Sequence, residues 1–505
     1  MRLAELLAGA AWLESSGALD IPVTGISYHS ERVRPGDLFV AWRGGRFDGH
    51  AFLDAARAAG ARAAVVERPL EELGAPRAAL TLVRVADSRA VLGPLSARLY
   101  GHPTARLGLC GVTGTNGKTT TTYLVREVLH LLGPVGLIGT VSAIVGGQGR
   151  PLRLTTPEAA DLQALFADMV AVGDRFCVME ASSMALDKRR VDGTAFDVAV
   201  FTNLTRDHLG PAEHPDFAHY RDSKARLFSL VGRPVADAPE KRLPRGAAVN
   251  ADDPAAGVMA AAVAPGVPVL RYGLAAGADV RAADIRVGPG GASFAILHPD
   301  GRETCVLRLA GRFNVYNALA AFSVGRLYGL PGAEVAAALG RVAGVPGRME
   351  RVPGAQPFSV FVDYAHTPDG LDNVLRAARE ITTGRVIAVF GCGGDRDRTK
   401  RPLMGGIAAR LADLVWLTSD NPRSEPPASI LAEIAVGVQA VAGARYTVVA
   451  DRGQAIAEAL AAARAGDAVV IAGKGHETRQ VFADRTVHFD DREEAAAVLS
   501  RLGYR

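Results

Sequence analysis

Short apolar runs alternate with stretches of helical spacing along most of the chain. Residues 38–42, 63–66 and 80–85 read as strands. Residues 3–13, 52–59 and 88–100 read as helices, the last kinked at Gly93-Pro94. Together they predict a small α/β domain over residues 1–102, closed by Gly101-His102-Pro103. Buried runs resume at 107–112, 135–138, 176–179 and 198–201, with helical runs at 121–132 and 220–228. Thr156 as N-cap and Pro157 in the first turn predict a further helix start. Over 267–309 short strands and Gly/Asp turns predict an appended antiparallel sheet, and residues 311–317 cap an Ala-rich helix. This second domain spans 103–338. In the third, 339–505, strands at 359–362, 385–390, 414–418 and 468–472 alternate with helices, the pattern of a parallel sheet. The expected fold class is α/β in three domains: a small α/β domain, a P-loop ATPase-like parallel sheet with an added antiparallel sheet, and a Rossmann-like α/β domain.

Composition narrows the setting. The chain has 505 residues, 49% of them apolar and 6% aromatic, as in a soluble α/β protein. No run of 18 uncharged apolar residues appears, so no membrane span is expected, and the N-terminus has no proper signal core. Cys110, Cys177, Cys305 and Cys392 lie far apart and suggest neither a metal site nor a disulfide framework, which implies a reduced, cytoplasmic protein. A net charge of +4, evenly spread, gives no footprint for nucleic acid. Only six of the 57 basic residues are lysine: Lys118, Lys188, Lys224, Lys241, Lys400 and Lys474. Where arginine has replaced most lysines, a surviving one can mark a required primary amine. Lys241, in a polar loop, reads as a chance survivor.

The strongest chemical signal is Gly111-Val112-Thr113-Gly114-Thr115-Asn116-Gly117-Lys118-Thr119-Thr120, between a buried strand and a helix. Glycines let successive N–H groups face phosphate oxygens, and the helix N-terminus adds partial positive charge. Lys118 can reach the terminal phosphates and the Thr119 hydroxyl can ligate Mg2+. Val112 breaks the strict spacing, with Gly111 one residue early. Other strand ends are polar too. They are Glu180-Ala181-Ser182-Ser183, the 202–209 segment with Asp207-His208, Asp363-Tyr364-Ala365-His366, Asp420-Asn421-Pro422-Arg423 and Gly473-Lys474-Gly475-His476-Glu477. Strand C-termini face the ligand side of a parallel sheet, and Glu180 and His208 are plausible metal ligands. Thr155-Thr156 reads first as a helix start and second as a phosphate contact. The loop Gly44-Gly45-Arg46-Phe47-Asp48-Gly49 reads as an anion site or a solvated loop.

With these motifs assembled, the sequence resembles the Mur ligases, and within them the MurE type, which add the third peptide residue in cell-wall synthesis. The resemblance covers nearly the whole chain. It implies an N-terminal domain holding a uridine nucleotide, a central ATP domain, and a C-terminal domain that brings the amino acid and closes over the site. ATP would lie on Gly114, Thr115, Asn116, Gly117, Lys118, Thr119 and Thr120, with Asn317, Arg348, Asp363 and His366. UDP-N-acetylmuramoyl-L-alanyl-D-glutamate would lie on Ser30, Gly45, Arg46, Phe47, Thr155, Thr156, Ser182, Lys188 and Arg190. The amino acid would lie on Arg396, Asp420, Asn421, Pro422, Arg423, Gly473 and Glu477. The Arg423 motif resembles that of meso-diaminopimelate-adding enzymes, with L-lysine or L-ornithine as the alternatives. Lys118, Lys224, Glu180 and His208 would be the catalytic set. Thr119, Glu180, His208 and Lys224 would ligate Mg2+, Lys224 after carbamylation by CO2. A monomer is implied, with neither nucleic acid nor membrane as partner. The chain departs from the family at His29-Ser30-Glu31 (usually Asp-Ser-Arg), at Met184 (usually His) and at Lys188 (often Gln). A folylpolyglutamate-type ligase is the nearest rival, but it carries Gly-Lys-Gly-Ser where this chain has Gly-Lys-Thr-Thr.

Overall fold

The strand Gly108–Thr113, which leads into the glycine loop, runs through the middle of a parallel sheet. The computed structural model describes residues 1–44, 47–73, 80–210 and 213–504. They divide into two units, Met1–Ala278 with Ser323–Leu330, and Asp279–Phe322 with Pro331–Arg505. In the first, Gly108–Thr113 pairs in parallel with Phe176–Glu180 on one side and Val198–Phe201 on the other. Val135–Ile138, Gly246–Asn250 and Val269–Gly273 continue the parallel sheet. Ala143–Val145 and Gln148–Arg150 finish one edge antiparallel. Every residue of Gly108–Thr113 is buried, as the unbroken apolar run requires of a strand packed on both faces. Glu180 pairs opposite Val112, and Phe201 opposite Thr113. The segments after these strands therefore emerge on one edge of the sheet, where ligands of such sheets bind.

The other end of the same strand is pinned by a buried ion pair. Lys241 Nζ lies 2.5 Å from Asp197 Oδ2 and donates to the Ala195 carbonyl at 3.0 Å. Asp197 Oδ2 also accepts from the Leu109 N–H at 2.6 Å. Lys241 is thus structural, and the loop that carries it folds back against the start of the strand. Its survival as lysine has a packing reason rather than chance.

The N-terminal sheet of this unit has the order Trp12–Ser16, Thr81–Val85, Ala63–Val66, Asp37–Val40, Gly25–Ser27. All pairs are parallel except the Trp12–Ser16 edge. The helix expected over 3–13 stops at Leu7, because Gly9 turns the chain with φ +72° and residues from Trp12 pair as a strand. The helix Ser88–Leu99 runs on through Pro94. Gly93 lets it press on the Asp192 carbonyl, which a Cβ would approach to 2.1 Å. The helix expected to open at Thr156 begins instead at Ala159, with Glu158 as N-cap.

The second unit holds the antiparallel strands Val280–Gly288, Gly291–His298 and Gly301–Leu307, as the turn-rich stretch predicted. Its larger sheet has the order Glu350–Arg351, Ser359–Asp363, Ala468–Ala472, Val386–Phe390, Leu414–Leu417, Tyr446–Val448. All but the first pair are parallel. Alternate residues pack on opposite faces. Phe361, Ala388 and Val470 meet the helices carrying Leu371, Met404 and Ile434. Val360, Val389 and Ile471 meet those carrying Ile456 and Val498.

Between two strand ends of this sheet lies a fully buried bidentate pair. Arg452 Nε and Nη2 bind Asp491 Oδ1 and Oδ2, each at 2.7 Å. Arg452 also donates to the carbonyls of Ser419 at 3.3 Å and Ala472 at 3.0 Å, tying both strand ends together. Asp491→Ala leaves the guanidinium buried without its counter-charge. Stability is expected to fall by about 3–5 kcal/mol, read as a lower urea midpoint at unchanged slope.

Candidate active site

Local bonding shapes the glycine loop into a cradle. Gly114 has φ +150°, and a Cβ there would lie 1.9 Å from Thr202 Oγ1, so only glycine fits. Gly117, at φ +82°, is the N-cap of the helix Lys118–Leu129, so the positive end of that helix faces the loop. Lys118 Nζ curls back to the carbonyls of Gly114 and Thr115, both at 2.8 Å. The loop is braced by the neighbouring strand end. The Asn116 N–H donates to Asn203 Oδ1 at 2.9 Å, Thr202 Oγ1 donates to the Asn116 carbonyl at 2.6 Å, and Thr115 Oγ1 lies 3.0 Å from the Tyr220 hydroxyl. Thr120 is buried in the helix.

A buried carboxylate faces this loop. Glu180 Oε1 accepts from the Thr119 hydroxyl at 2.9 Å and the Thr140 N–H at 2.8 Å. Oε2 accepts from the Thr140 hydroxyl at 3.1 Å, and that hydroxyl lies 3.1 Å from Thr155 Oγ1. Thr156 Oγ1 donates to the Glu180 carbonyl at 2.8 Å and accepts from the Ser182 N–H at 3.1 Å. That engagement explains why Thr156 does not cap the following helix. A hydroxyl and a carboxylate together are the oxygen donors a hard cation selects, so Thr119 and Glu180 fit Mg2+.

Lys224 is placed on the buried face of the helix Phe217–Ser229 and is 1% exposed. Its Nζ donates to the Gly114 carbonyl at 2.8 Å, the same oxygen that receives Lys118, and lies 4.4 Å from the Tyr220 ring centroid. Burial, and then the charge of Lys118, hold its amine well below the ordinary lysine range. His208 is placed differently. Its backbone is left-handed at φ +55°, and Nδ1 lies 3.0 Å from Glu213 Oε1 on the exposed loop. No contact joins it to Glu180 among the described residues. Nor do those residues include a group of three or more His, Cys, Asp or Glu side chains arranged for a metal ion.

Other nucleotide-substrate candidates gather around Glu158. Arg190 Nε binds its Oε1 at 2.9 Å, Arg89 Nη1 lies 3.4 Å from Oε2, and Arg190 Nη1 donates to the Thr156 carbonyl at 3.3 Å. The Arg89 guanidinium stacks 4.5 Å from the Trp42 ring centroid. Lys188 pairs with Asp187 at 2.9 Å. Ser30 opens a short 3-10 turn, and Phe47 is 72% exposed. Gly45 and Arg46 lie outside the described residues. Thr140, Glu158 and Arg89 escape a reading by motif. Glu158 had one signal, its place directly after Thr-Thr-Pro.

In the second unit, Asp363 Oδ2 and Oδ1 accept from the N–H groups of Met349 and Ala365 at 2.7 and 2.8 Å. Arg348 stacks 4.8 Å from the Tyr364 ring centroid, and His366 Nδ1 lies 2.8 Å from the Tyr364 carbonyl. Asn317 Nδ2 donates to Asn314 Oδ1 at 2.9 Å. A second cluster joins three loops. Asn421 Nδ2 donates to Glu477 Oε2 at 2.8 Å. Arg423, at φ +51°, donates through Nη1 to the carbonyls of Gly394 at 2.8 Å and Asn421 at 3.5 Å, and the Gly394 N–H donates back to the Asn421 carbonyl at 2.9 Å. Behind them Arg401, fully buried, binds Glu425 bidentately at 2.9 and 2.8 Å and reaches the Gly393 carbonyl at 3.3 Å. Pro422 and Gly473 lie within the same loops, and Arg396 is exposed beside them.

A phosphate-type loop on a parallel sheet, with a buried carboxylate at the next strand end, defines a nucleotide-binding α/β enzyme. Three family profiles match the chain: "Mur ligase family, catalytic domain" over residues 22–100, "Mur ligase middle domain" over 112–325, and "Mur ligase, glutamate ligase domain" over 347–475. The chain is 46% identical over 502 residues to the UDP-N-acetylmuramoyl-L-alanyl-D-glutamate--2,6-diaminopimelate ligase of Gloeobacter violaceus, covering 99% of this chain and 98% of that protein. It is 45% identical over 513 residues to the UDP-N-acetylmuramyl-tripeptide synthetase of Roseiflexus sp., covering 100% of both. A solved structure of a UDP-N-acetylmuramoyl-L-alanyl-D-glutamate--2,6-diaminopimelate ligase superposes with a TM-score of 0.71 at 32% identity, over 100% of both chains. The chain belongs to the Mur ligase family.

Proposed function

We propose that the protein is an ATP-dependent ligase that joins meso-diaminopimelate to the D-glutamyl γ-carboxylate of UDP-N-acetylmuramoyl-L-alanyl-D-glutamate, in the cytoplasm. The observation that carries this reading is the Lys118, Thr119 and Glu180 constellation at one strand edge, in a chain whose Asp420-to-Arg423 loop offers one acid and an arginine to an amino acid. A γ-carboxylate oxygen of the dipeptide attacks the γ-phosphorus of ATP. The bond from that phosphorus to its bridging oxygen breaks, and ADP leaves with the electron pair. The amine of the incoming residue then attacks the acyl carbon, loses a proton, and inorganic phosphate departs. Lys118 supplies positive charge where the phosphoryl oxygens gain negative charge, and the loop N–H groups orient them. Mg2+, when bound by Thr119 and Glu180, neutralises phosphate charge. Glu180, His208 and a carbamate on Lys224 would serve a second ion by resemblance. The Lys224 amine would hold CO2 as a carbamate, with loss of one proton, and would then supply an anionic oxygen donor.

The test is phosphate release from ATP with the UDP-dipeptide, comparing meso-diaminopimelate, L-lysine and L-ornithine. Turnover is expected with diaminopimelate and to require both the dipeptide and the amino acid. Release that ignores both substrates overturns the ligase assignment. Turnover with lysine or ornithine in its place keeps the ligase and overturns the amino-acid assignment.

A further inference from the structure

The Asn421 and Glu477 side chains, assigned above to the amino acid, are held by a residue with no role so far. Lys474 follows the strand Ala468–Ala472 and is fully buried. Its Nζ donates to the Arg479 carbonyl at 2.6 Å, Asn421 Oδ1 at 3.2 Å and Glu477 Oε2 at 3.2 Å. An ammonium has three N–H donors and no acceptor, so all three are used. Asn421 Oδ1 also accepts from the Val481 N–H at 3.0 Å. With its oxygen so claimed, the Asn421 amide can present only its nitrogen to Glu477 Oε2. Every bond to Glu477 falls on Oε2, so one edge of the carboxylate is fixed.

Beside this triangle, Asp420 Oδ1 accepts from the Asn421 N–H at 2.7 Å, while Oδ2 is buried with no partner among the described residues. A Cβ on Gly473 would lie 2.5 Å from that oxygen, so the bare glycine keeps it open. An unpartnered buried carboxylate oxygen calls for a cationic ligand. We infer that Lys474 is a positioning residue for the amino-acid site, fixing Asn421 and Glu477 so that they and Asp420 together receive an ammonium group of the incoming amino acid. Arginine cannot replace it, because a planar guanidinium does not place three donors in these directions in a closed space.

The inference rests on the ligase reading, and the experiment separates the two. Steady-state KM values for meso-diaminopimelate, ATP and the UDP-dipeptide are measured for the wild type, Lys474→Met and Lys474→Arg. Both variants are expected to raise the diaminopimelate KM by about 10- to 100-fold, the worth of charge-assisted bonds that hold the site. The other two KM values should stay within about twofold, since nothing in this cluster touches the glycine loop's own bonds. KM is independent of the fraction of enzyme that folds, and Lys474→Gln, which keeps two N–H donors without the charge, serves if the methionine variant does not fold. An unchanged diaminopimelate KM, or a parallel rise in all three, overturns the positioning role. Absence of turnover in the wild type overturns the ligase reading instead.

Discussion

Lys224→Arg is expected to lower turnover about 10²- to 10³-fold, the scale on which a preorganised charge at a reacting phosphoryl group acts, measured per folded enzyme. The substitution removes the amine's capacity to become a carbamate and sets a permanent positive charge where the amine is held neutral. Lys224 is buried, donates to one carbonyl, and has no carboxylate within ion-pair distance among the described residues. A buried ammonium without a counter-charge is costly, so the site favours the neutral amine. A neutral primary amine is the form that captures CO2, and arginine stays protonated. Wild-type enzyme equilibrated with 13C-labelled CO2 should therefore show a carbamate carbon resonance that Lys224→Arg lacks. An arginine variant that turns over normally, or a wild type without the resonance, would leave Lys224 as a packing lysine.

The same lysine shows what the sequence could and could not tell. Its rarity among so many arginines singled it out, and Lys118 and Lys474 with it. The helical run around it, 220–228, gave no sign by its spacing that this lysine is buried. Which face of that helix is buried depends on Gly114, 110 residues away in the chain, and no local pattern encodes that. Lys241 repeats the case, since a polar loop gave no sign of its buried partner Asp197. The glycine loop and the strand ends were legible because each is a local change, from apolar run to polar turn. The clamp of Arg89 and Arg190 on Glu158 was not, because it joins segments 69 and 32 residues apart. His208 was legible as a residue, but its placement against Glu213 depends on an exposed loop conformation that sequence does not specify.

Arg423→Ala is expected to lower kcat/KM for meso-diaminopimelate by about 10²- to 10³-fold, the cost of losing a bidentate charge-assisted contact, while L-lysine, tested at high concentration, changes little. The two amino acids differ by one distal carboxylate. An arginine that binds this group penalises only the substrate that carries it. Here Arg423 is held in a left-handed turn, and both of its side-chain bonds leave from Nη1. Its remaining N–H donors are thus oriented without being consumed. Gly393 is part of the same device, because a Cβ there would lie 2.8 Å from Arg423 Nη1 and displace it. Arg401, through Glu425 and the Gly393 carbonyl, holds the loop from behind. Arg423→Lys should recover little, because a point charge on a flexible stem does not reproduce the planar fork. The informative quantity is the ratio of the two losses. A fall confined to diaminopimelate places Arg423 on the distal carboxylate. An equal fall for both amino acids places it on the α-carboxylate they share and removes Arg423 as the source of specificity.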